Sequence, residues 1–178
     1  MAGGHGFLVM NYFEFYELPI QFGIDVNALR QKYFALSKQY HPDFFVNESE
    51  EKKENVLKNS TLNNNAFKAL NNTALRIKYV LEITGTLTDA EKEILPQDFL
   101  MEMMELNEEM MEMDAATAPA LRARVGEFEA SLEAAMAEAC NQFDNTSEQI
   151  YLQIVKSIYL KQKYLLRIKE SMLKFAAL

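Results

Sequence analysis

Apolar residues in this chain recur at steps of three and four positions over long stretches, and this spacing constrains the fold more than any other feature. Such a step returns a side chain to the same face of an α-helix, whereas a strand requires alternation at every second residue. Only six of the 178 residues are Gly and four are Pro, while 49% are hydrophobic. The sequence therefore predicts an all-α protein with a packed core.

The pattern divides into helical segments separated by polar or proline-containing stretches. A short aromatic segment ends at Pro19, and Asp25 is a candidate N-cap for the next helix. Longer helices are predicted over 26–40, 48–72, 74–83, 99–113, 121–143 and 150–175. The first two should pack as an antiparallel hairpin, and the last three as a small antiparallel bundle. We expect Leu75 to face inward, and the apolar stripe of the last helix begins with Ile150 and Ile154.

These segments group into two units. We predict a first unit over 10–84, a linker over 85–96 and a second unit over 97–178. Residues 1–9 are expected to be a leader or tag, because they are rich in glycine, contain no Lys or Arg and have too short an apolar stretch for a signal peptide. No sequence repeat relates the two units.

Charge and cysteine content limit the possible partners. The formal net charge of −8 argues against nucleic acid, because phosphate binding needs a basic surface. The single cysteine, Cys140, excludes an internal disulfide and a cysteine-based zinc site, and it suits a reducing bacterial cytoplasm. No apolar run approaches the ~18 residues of a membrane span. We therefore expect a cytoplasmic protein that binds neither nucleic acid nor membrane and has no cofactor.

One flank of the helix predicted over 26–40 is basic. At about 100° per residue, Arg30, Phe34, Lys38 and His41 fall on this flank, and Lys32 lies on the opposite edge of the buried stripe. In a chain with excess acid, such a flank would be a docking surface for an acidic partner. The alternative is an ordinary solvated helix face, which this feature alone does not exclude.

The tripeptide His41-Pro42-Asp43 follows this flank directly. Proline fixes its own φ and pushes the preceding residue out of the helical region, so His41 and Asp43 should be held in a loop. A preorganised polar pair binds a partner at a smaller ordering cost. An acid–base enzyme is disfavoured, because no nucleophile or third polar partner lies nearby in sequence, and no phosphate loop or metal-ligand cluster occurs elsewhere.

The segment from Lys32 to Asp43 resembles helix two and the following loop of a J domain. Three further stretches, Tyr12–Pro19, Arg76–Leu81 and Phe99–Glu102, narrow the likeness to the HscB family of iron–sulfur cluster co-chaperones, over about 10–175. The resemblance implies that the first unit stimulates ATP hydrolysis by a DnaK/HscA-type chaperone, and that the second binds an IscU-type scaffold protein and delivers it. The chaperone-binding residues would be His41, Pro42, Asp43, Arg30, Lys32 and Lys38.

The chain departs from the family pattern in three respects. Phe44 stands where a lysine often follows the tripeptide, which weakens the local positive field. Asn63 stands at a position that is usually apolar. The metal-binding cysteine extension of some eukaryotic relatives is absent, so no zinc is expected.

The methionine-rich helix predicted over 99–113 is a candidate second surface. Two neighbouring apolar faces run along it, one with Leu100, Met104 and Met111 and the other with Met103, Met110 and Met113. So wide an apolar arc cannot be buried entirely against two helices, so some methionines should be exposed, and exposed methionine suits adaptable binding. The alternative is that they fill an irregular core. The resemblance places scaffold binding on Leu100, Met101, Met104, Glu105, Glu108 and Tyr159.

A second reading of the whole chain stays open. The first unit would then be a J domain that serves some other client, and the second would be a general substrate or dimerisation arm. Binding to a cluster scaffold distinguishes the two.

Overall fold

The computed structural model describes residues 10–88 and 95–175, so the leader at 1–9 and half of the expected linker lie outside the described residues. The described residues form helices and turns with no strand, which confirms the all-α prediction. The helices are α1 Tyr12–Phe15, α2 Val26–Gln39, α3 Glu50–Asn71, α4 Thr73–Ile83, α5 Gln97–Met111, α6 Ala118–Thr146 and α7 Gln149–Phe175, with a 3₁₀ turn at Pro42–Phe45. Contacts divide the chain into two compact units, with the boundary between Thr84 and Gly85.

Helix α1 is short but is fixed at its start by a capping box. The Asn11 side chain accepts a hydrogen bond from the Glu14 N–H at 3.0 Å, and the Glu14 carboxylate accepts one from the Asn11 N–H at 3.0 Å. The Phe13 side chain is fully buried, and α1 packs against α3. The Tyr12 ring stacks on the Tyr79 ring of α4 with 4.4 Å between centroids. A four-residue helix is thus stabilised by its cap and its packing.

Helices α2 and α3 form the predicted antiparallel hairpin. Asp25 caps α2, since its carboxylate accepts hydrogen bonds from the N–H groups of Asn27 and Ala28. The Tyr33 and Phe67 rings stack across the two helices with 4.2 Å between centroids.

A buried polar network centred on Asn63 joins α2, α3 and the turn after α1. The Asn63 amide nitrogen donates to the Tyr33 carbonyl at 3.1 Å and to the Ser37 hydroxyl at 3.0 Å. Its side-chain oxygen accepts from the Tyr16 hydroxyl at 2.7 Å. Burial, more than the neighbouring Tyr33 phenol, raises the pKa of Tyr16, so this hydroxyl keeps the proton that it donates. These bonds explain how Asn63 occupies a position that is usually apolar.

Arg76 of α4 is buried and holds a neighbouring turn. Its Nε donates to the Phe22 carbonyl at 2.6 Å, and its Nη1 donates to the Leu70 carbonyl at 2.5 Å. The planar guanidinium thereby satisfies two carbonyls outside regular helix hydrogen bonding, which a lysine cannot do with the same geometry. Leu75 beside it is 41% exposed, so the prediction that it faces inward is wrong.

In the second unit, α5, α6 and α7 pack pairwise into the predicted three-helix bundle, with α6 and α7 sharing the longest contact. Helix α6 ends where Ser147 adopts a left-handed conformation with φ 57°. Ile150 and Ile154 of α7 are 58% and 40% exposed, so the buried stripe of that helix does not begin with them; it begins at Leu152 and Val155.

Replacing Asn63 by alanine is expected to destabilise the first unit by about 1–3 kcal/mol, because the half-buried Ser37 hydroxyl and Tyr33 carbonyl would lose a donor and the buried Tyr16 hydroxyl would lose an acceptor. The free energy of unfolding in urea measures this effect. The matched control is Asn64→Ala, because Asn64 is exposed and only accepts a hydrogen bond from the Tyr33 hydroxyl. Equal losses in the two variants would contradict a special role for the buried network.

Two adjacent methionines of α5 provide a second test. Met103 is fully buried and Met104 is 60% exposed. Truncating Met103 to alanine should cost about 2–5 kcal/mol through lost packing and a cavity, whereas Met104→Ala should change the free energy of unfolding by less than about 0.5 kcal/mol. A large loss for Met104→Ala would mean that this side chain belongs to the core.

Candidate partner-binding surfaces

The first candidate surface is the corner between α2 and α3. Helix α2 ends at Gln39, and His41 adopts an extended conformation with ψ 121°, as expected before proline. Pro42 then starts the 3₁₀ turn, and the His41 Nδ1 accepts a hydrogen bond from the Asp43 N–H at 3.3 Å. The tripeptide is thus a short capped turn, where the sequence predicted only a loop.

The polar side chains of this corner face solvent. The His41 and Asp43 side chains are 51% and 83% exposed. The distance from the His41 Nδ1 to the nearer Asp43 carboxylate oxygen is 3.7 Å. The Nδ1 that accepts from the backbone belongs to a neutral imidazole, so this approach becomes an ion pair only when His41 is protonated. Both side chains are therefore available to a partner.

The three predicted basic residues of α2 do not form one patch. Arg30 and Lys38 are exposed, and neither makes an ion pair with any residue in 10–88 or 95–175. Lys32 instead contacts the Glu17 carboxylate at 2.5 Å, and this hydrogen bond and the ammonium charge lower the pKa of Glu17. The basic flank therefore consists of Arg30 and Lys38, with Lys32 on the opposite edge, as the helical spacing predicted.

The second candidate surface lies on α5. Leu100, Met101 and Met104 are 36%, 57% and 60% exposed, while the opposite side of the helix is buried through Phe99, Met103, Leu106 and Met110. The prediction that some methionines of this helix are exposed is confirmed. Met103 and Met110, on the inner face, fill the core, as the alternative hypothesis predicted for all of them.

Two exposed acidic residues lie beside the exposed methionines on α5. Glu105 and Glu108 are exposed, and the Glu105 carboxylate lies 3.7 Å from the Arg124 guanidinium of α6. Arg124 also contacts Glu109. Glu105 is therefore partly engaged within the bundle, an ion pair that spacing along α5 could not reveal.

Tyr159 of α7 is half-buried, and the Lys163 ammonium lies 5.9 Å from the centre of its ring. The Lys161 ammonium, two residues after Tyr159 on α7, lies 5.4 Å from the centre of the Phe99 ring. This stretch of α7 thus borders the start of α5, where Leu100 and Met101 are exposed.

Within 10–88 and 95–175, no group of three or more His, Cys, Asp or Glu side chains is placed to hold a metal ion. Over the same residues, none of the helices combines the length and apolar character needed to span a membrane.

Comparison with known proteins identifies relatives of both units. Residues 95–172 match the family model of the HSCB C-terminal oligomerisation domain. The co-chaperone protein HscB homolog of Vibrio cholerae serotype O1 is 38% identical over 111 residues, which are 62% of this chain and 65% of that protein. The iron–sulfur cluster co-chaperone protein HscB of Mus musculus is 29% identical over 161 residues, 90% of this chain and 66% of the mouse protein. The matched region thus spans about two thirds of the length of these relatives.

Solved structures are similar over nearly the whole chain. The crystal structure of human co-chaperone protein HscB has a TM-score of 0.66 at 29% identity and covers 96% of this chain and 85% of the human one. Chaperone HscB from Vibrio cholerae has a TM-score of 0.59 at 27% identity, covering 93% and 96%. Sequence and fold thus agree that this chain is similar to HscB co-chaperones.

Proposed function

We propose that this protein is an iron–sulfur cluster co-chaperone with two docking surfaces. Residues 10–84 act as a J domain that stimulates the ATPase of a DnaK/HscA-type chaperone, and residues 97–178 bind an IscU-type scaffold protein and deliver it. The observation that carries the proposal is the exposed His41-Pro42-Asp43 corner beside two unpaired cations on one flank of α2.

Charge favours an acidic partner for the first surface. The chain has a net charge of −8, but Arg30 and Lys38 project from α2 without internal counter-ions among the described residues. An acidic surface on the chaperone would supply those counter-ions and accelerate encounter, and salt would weaken this attraction. Lys32 contributes less, because Glu17 already neutralises it.

The geometry of the corner also lowers the cost of binding. Pro42 has a fixed φ, and His41 is held by its hydrogen bond from the Asp43 N–H. A partner therefore meets polar groups whose positions are already restricted, so less conformational entropy is lost on association.

The second surface favours a partner with an apolar recess and a basic rim. Leu100, Met101 and Met104 offer adaptable apolar contact, and Glu105 and Glu108 supply negative charge next to them. The names of the relatives support an iron–sulfur scaffold as that partner, because the mouse protein is named an iron–sulfur cluster co-chaperone.

Replacing His41 by glutamine is expected to abolish stimulation of the chaperone ATPase while leaving the free energy of unfolding unchanged, since the side chain is half exposed and outside the core. Steady-state ATP hydrolysis by a purified DnaK/HscA-type chaperone measures this. Asn47→Ala is the matched control, because Asn47 is an exposed residue in the same connection between α2 and α3. This variant should stimulate the ATPase as the unchanged chain does. Full stimulation by the His41→Gln variant would refute the assignment of the first surface.

The double variant Leu100→Ala with Met104→Ala is expected to weaken scaffold binding by about 1–2 kcal/mol for each truncated side chain. Isothermal titration calorimetry with a purified IscU-type scaffold measures the loss. Leu166→Ala of α7 is the control, because Leu166 is 54% exposed and outside the proposed surface. If the double variant binds as tightly as the unchanged chain, the scaffold is bound elsewhere.

A second candidate function is a J-domain protein for another client, with the bundle as a substrate or dimerisation arm. The name of the matching family model favours the dimerisation part of this alternative, because it refers to oligomerisation. Sedimentation of a stable dimer together with no measurable scaffold binding would support this alternative.

A further inference from the structure

Two phenylalanines of the first unit have largely exposed side chains. Phe34 is 66% exposed and Phe44 is 67% exposed. Every other phenylalanine whose side chain the structure describes is buried or half-buried, including Phe45 next to Phe44. Phenylalanine has no polar group that favours water, so two solvated rings in one small unit suggest a surface that a partner covers.

Both rings lie on the surface formed by the basic flank of α2 and the corner that follows it. Phe34 lies on α2 one turn after Arg30 and one turn before Lys38, so the three side chains follow one another along the same flank. Phe44 lies in the 3₁₀ turn, where its ring is tilted against the His41 imidazole with 5.5 Å between centroids. Along this surface, exposed aromatic rings therefore alternate with free cations and end beside the tripeptide.

We propose that Phe34 and Phe44 are apolar anchors that enter a recess on the partner chaperone, between the acidic groups that pair with Arg30 and Lys38. This inference rests on the proposed function and adds residues and a partner chemistry to it. The partner surface should combine carboxylates with an apolar recess rather than present charge alone.

Charge argues against a second copy of this chain as the occupant. If two copies met through the same face, the Arg30 and Lys38 side chains of one would approach those of the other, and like charges would meet. An acidic ATPase pairs with the cations and covers the rings in one contact. The lysine that often follows the tripeptide in the family is replaced here by Phe44, so apolar burial compensates for part of the missing positive charge.

Aromatic anchors and cations differ in their response to salt. Attraction between exposed charges falls as the Debye length shortens, whereas burial of an apolar ring is not screened. Truncating a ring should therefore weaken docking by a similar factor at low and at high salt, whereas removing a cation should matter chiefly at low salt.

The test compares Phe34→Ala, Phe44→Ala and Lys38→Ala with the unchanged chain. The quantity measured is the concentration at which each protein gives half-maximal stimulation of a purified DnaK/HscA-type ATPase, at low and at high salt. Each phenylalanine variant should require about 5- to 30-fold more protein at both salt concentrations. Leu75→Ala, which removes another exposed apolar side chain of the same unit, should behave as the unchanged chain does. Thermal unfolding should remain unchanged in all of them.

The outcomes separate this inference from the function on which it rests. If the unchanged chain stimulates the ATPase and the phenylalanine variants do so at the same concentrations, the anchors are refuted and the proposed function stands. If the unchanged chain does not stimulate the ATPase, both the inference and the proposed function are refuted. If Phe34→Ala instead turns a dimer into a monomer in sedimentation, the rings join two copies and the inference is wrong.

Discussion

The position of Pro42 determines where α2 ends and how His41 and Asp43 are presented to a partner. Its ring excludes a helical conformation at the preceding residue, so α2 ends at Gln39 and His41 turns into an extended conformation. The same proline occupies the first position of the 3₁₀ turn, where a missing N–H is harmless. Because the helix ends there, His41 and Phe44 follow directly after the last turn of α2. They extend the flank on which Lys38 lies.

The corner is presented to solvent because the hairpin beneath it is held by its own contacts. Stacking of Tyr33 on Phe67 and the hydrogen bonds of Asn63 connect α2 to α3 well below the turn. Burying an amide in this way contributes little net free energy, but an unmatched register would leave its polar atoms without partners. We infer that Asn63 helps to select one register of the hairpin, so that the corner keeps one geometry.

Periodicity predicted the parts of the fold that depend on one helix at a time. The helix ends agree with the structure to within about three residues, and the spacing correctly separated Met103 from Met104 and the Arg30 flank from Lys32. Periodicity could not predict contacts between segments that are distant in sequence. The pairing of Lys32 with Glu17 needs a turn at which Glu17 adopts φ 53°, and the pairing of Glu105 with Arg124 needs the packing of α5 on α6. The exposure of Phe44 likewise depends on the 3₁₀ turn, whose sequence signals only a loop.

The central claim is that one contiguous face, from Arg30 through Lys38 to the tripeptide, binds the chaperone. The most direct measurement is an NMR titration of the ¹⁵N-labelled chain with the purified ATPase domain of a DnaK/HscA-type chaperone. The account predicts that amide signals of residues 30–44 shift or broaden first, while those of α5 respond to a scaffold protein instead. Perturbation confined to the second unit, with the signals of Lys38 and His41 unchanged at saturation, would contradict it.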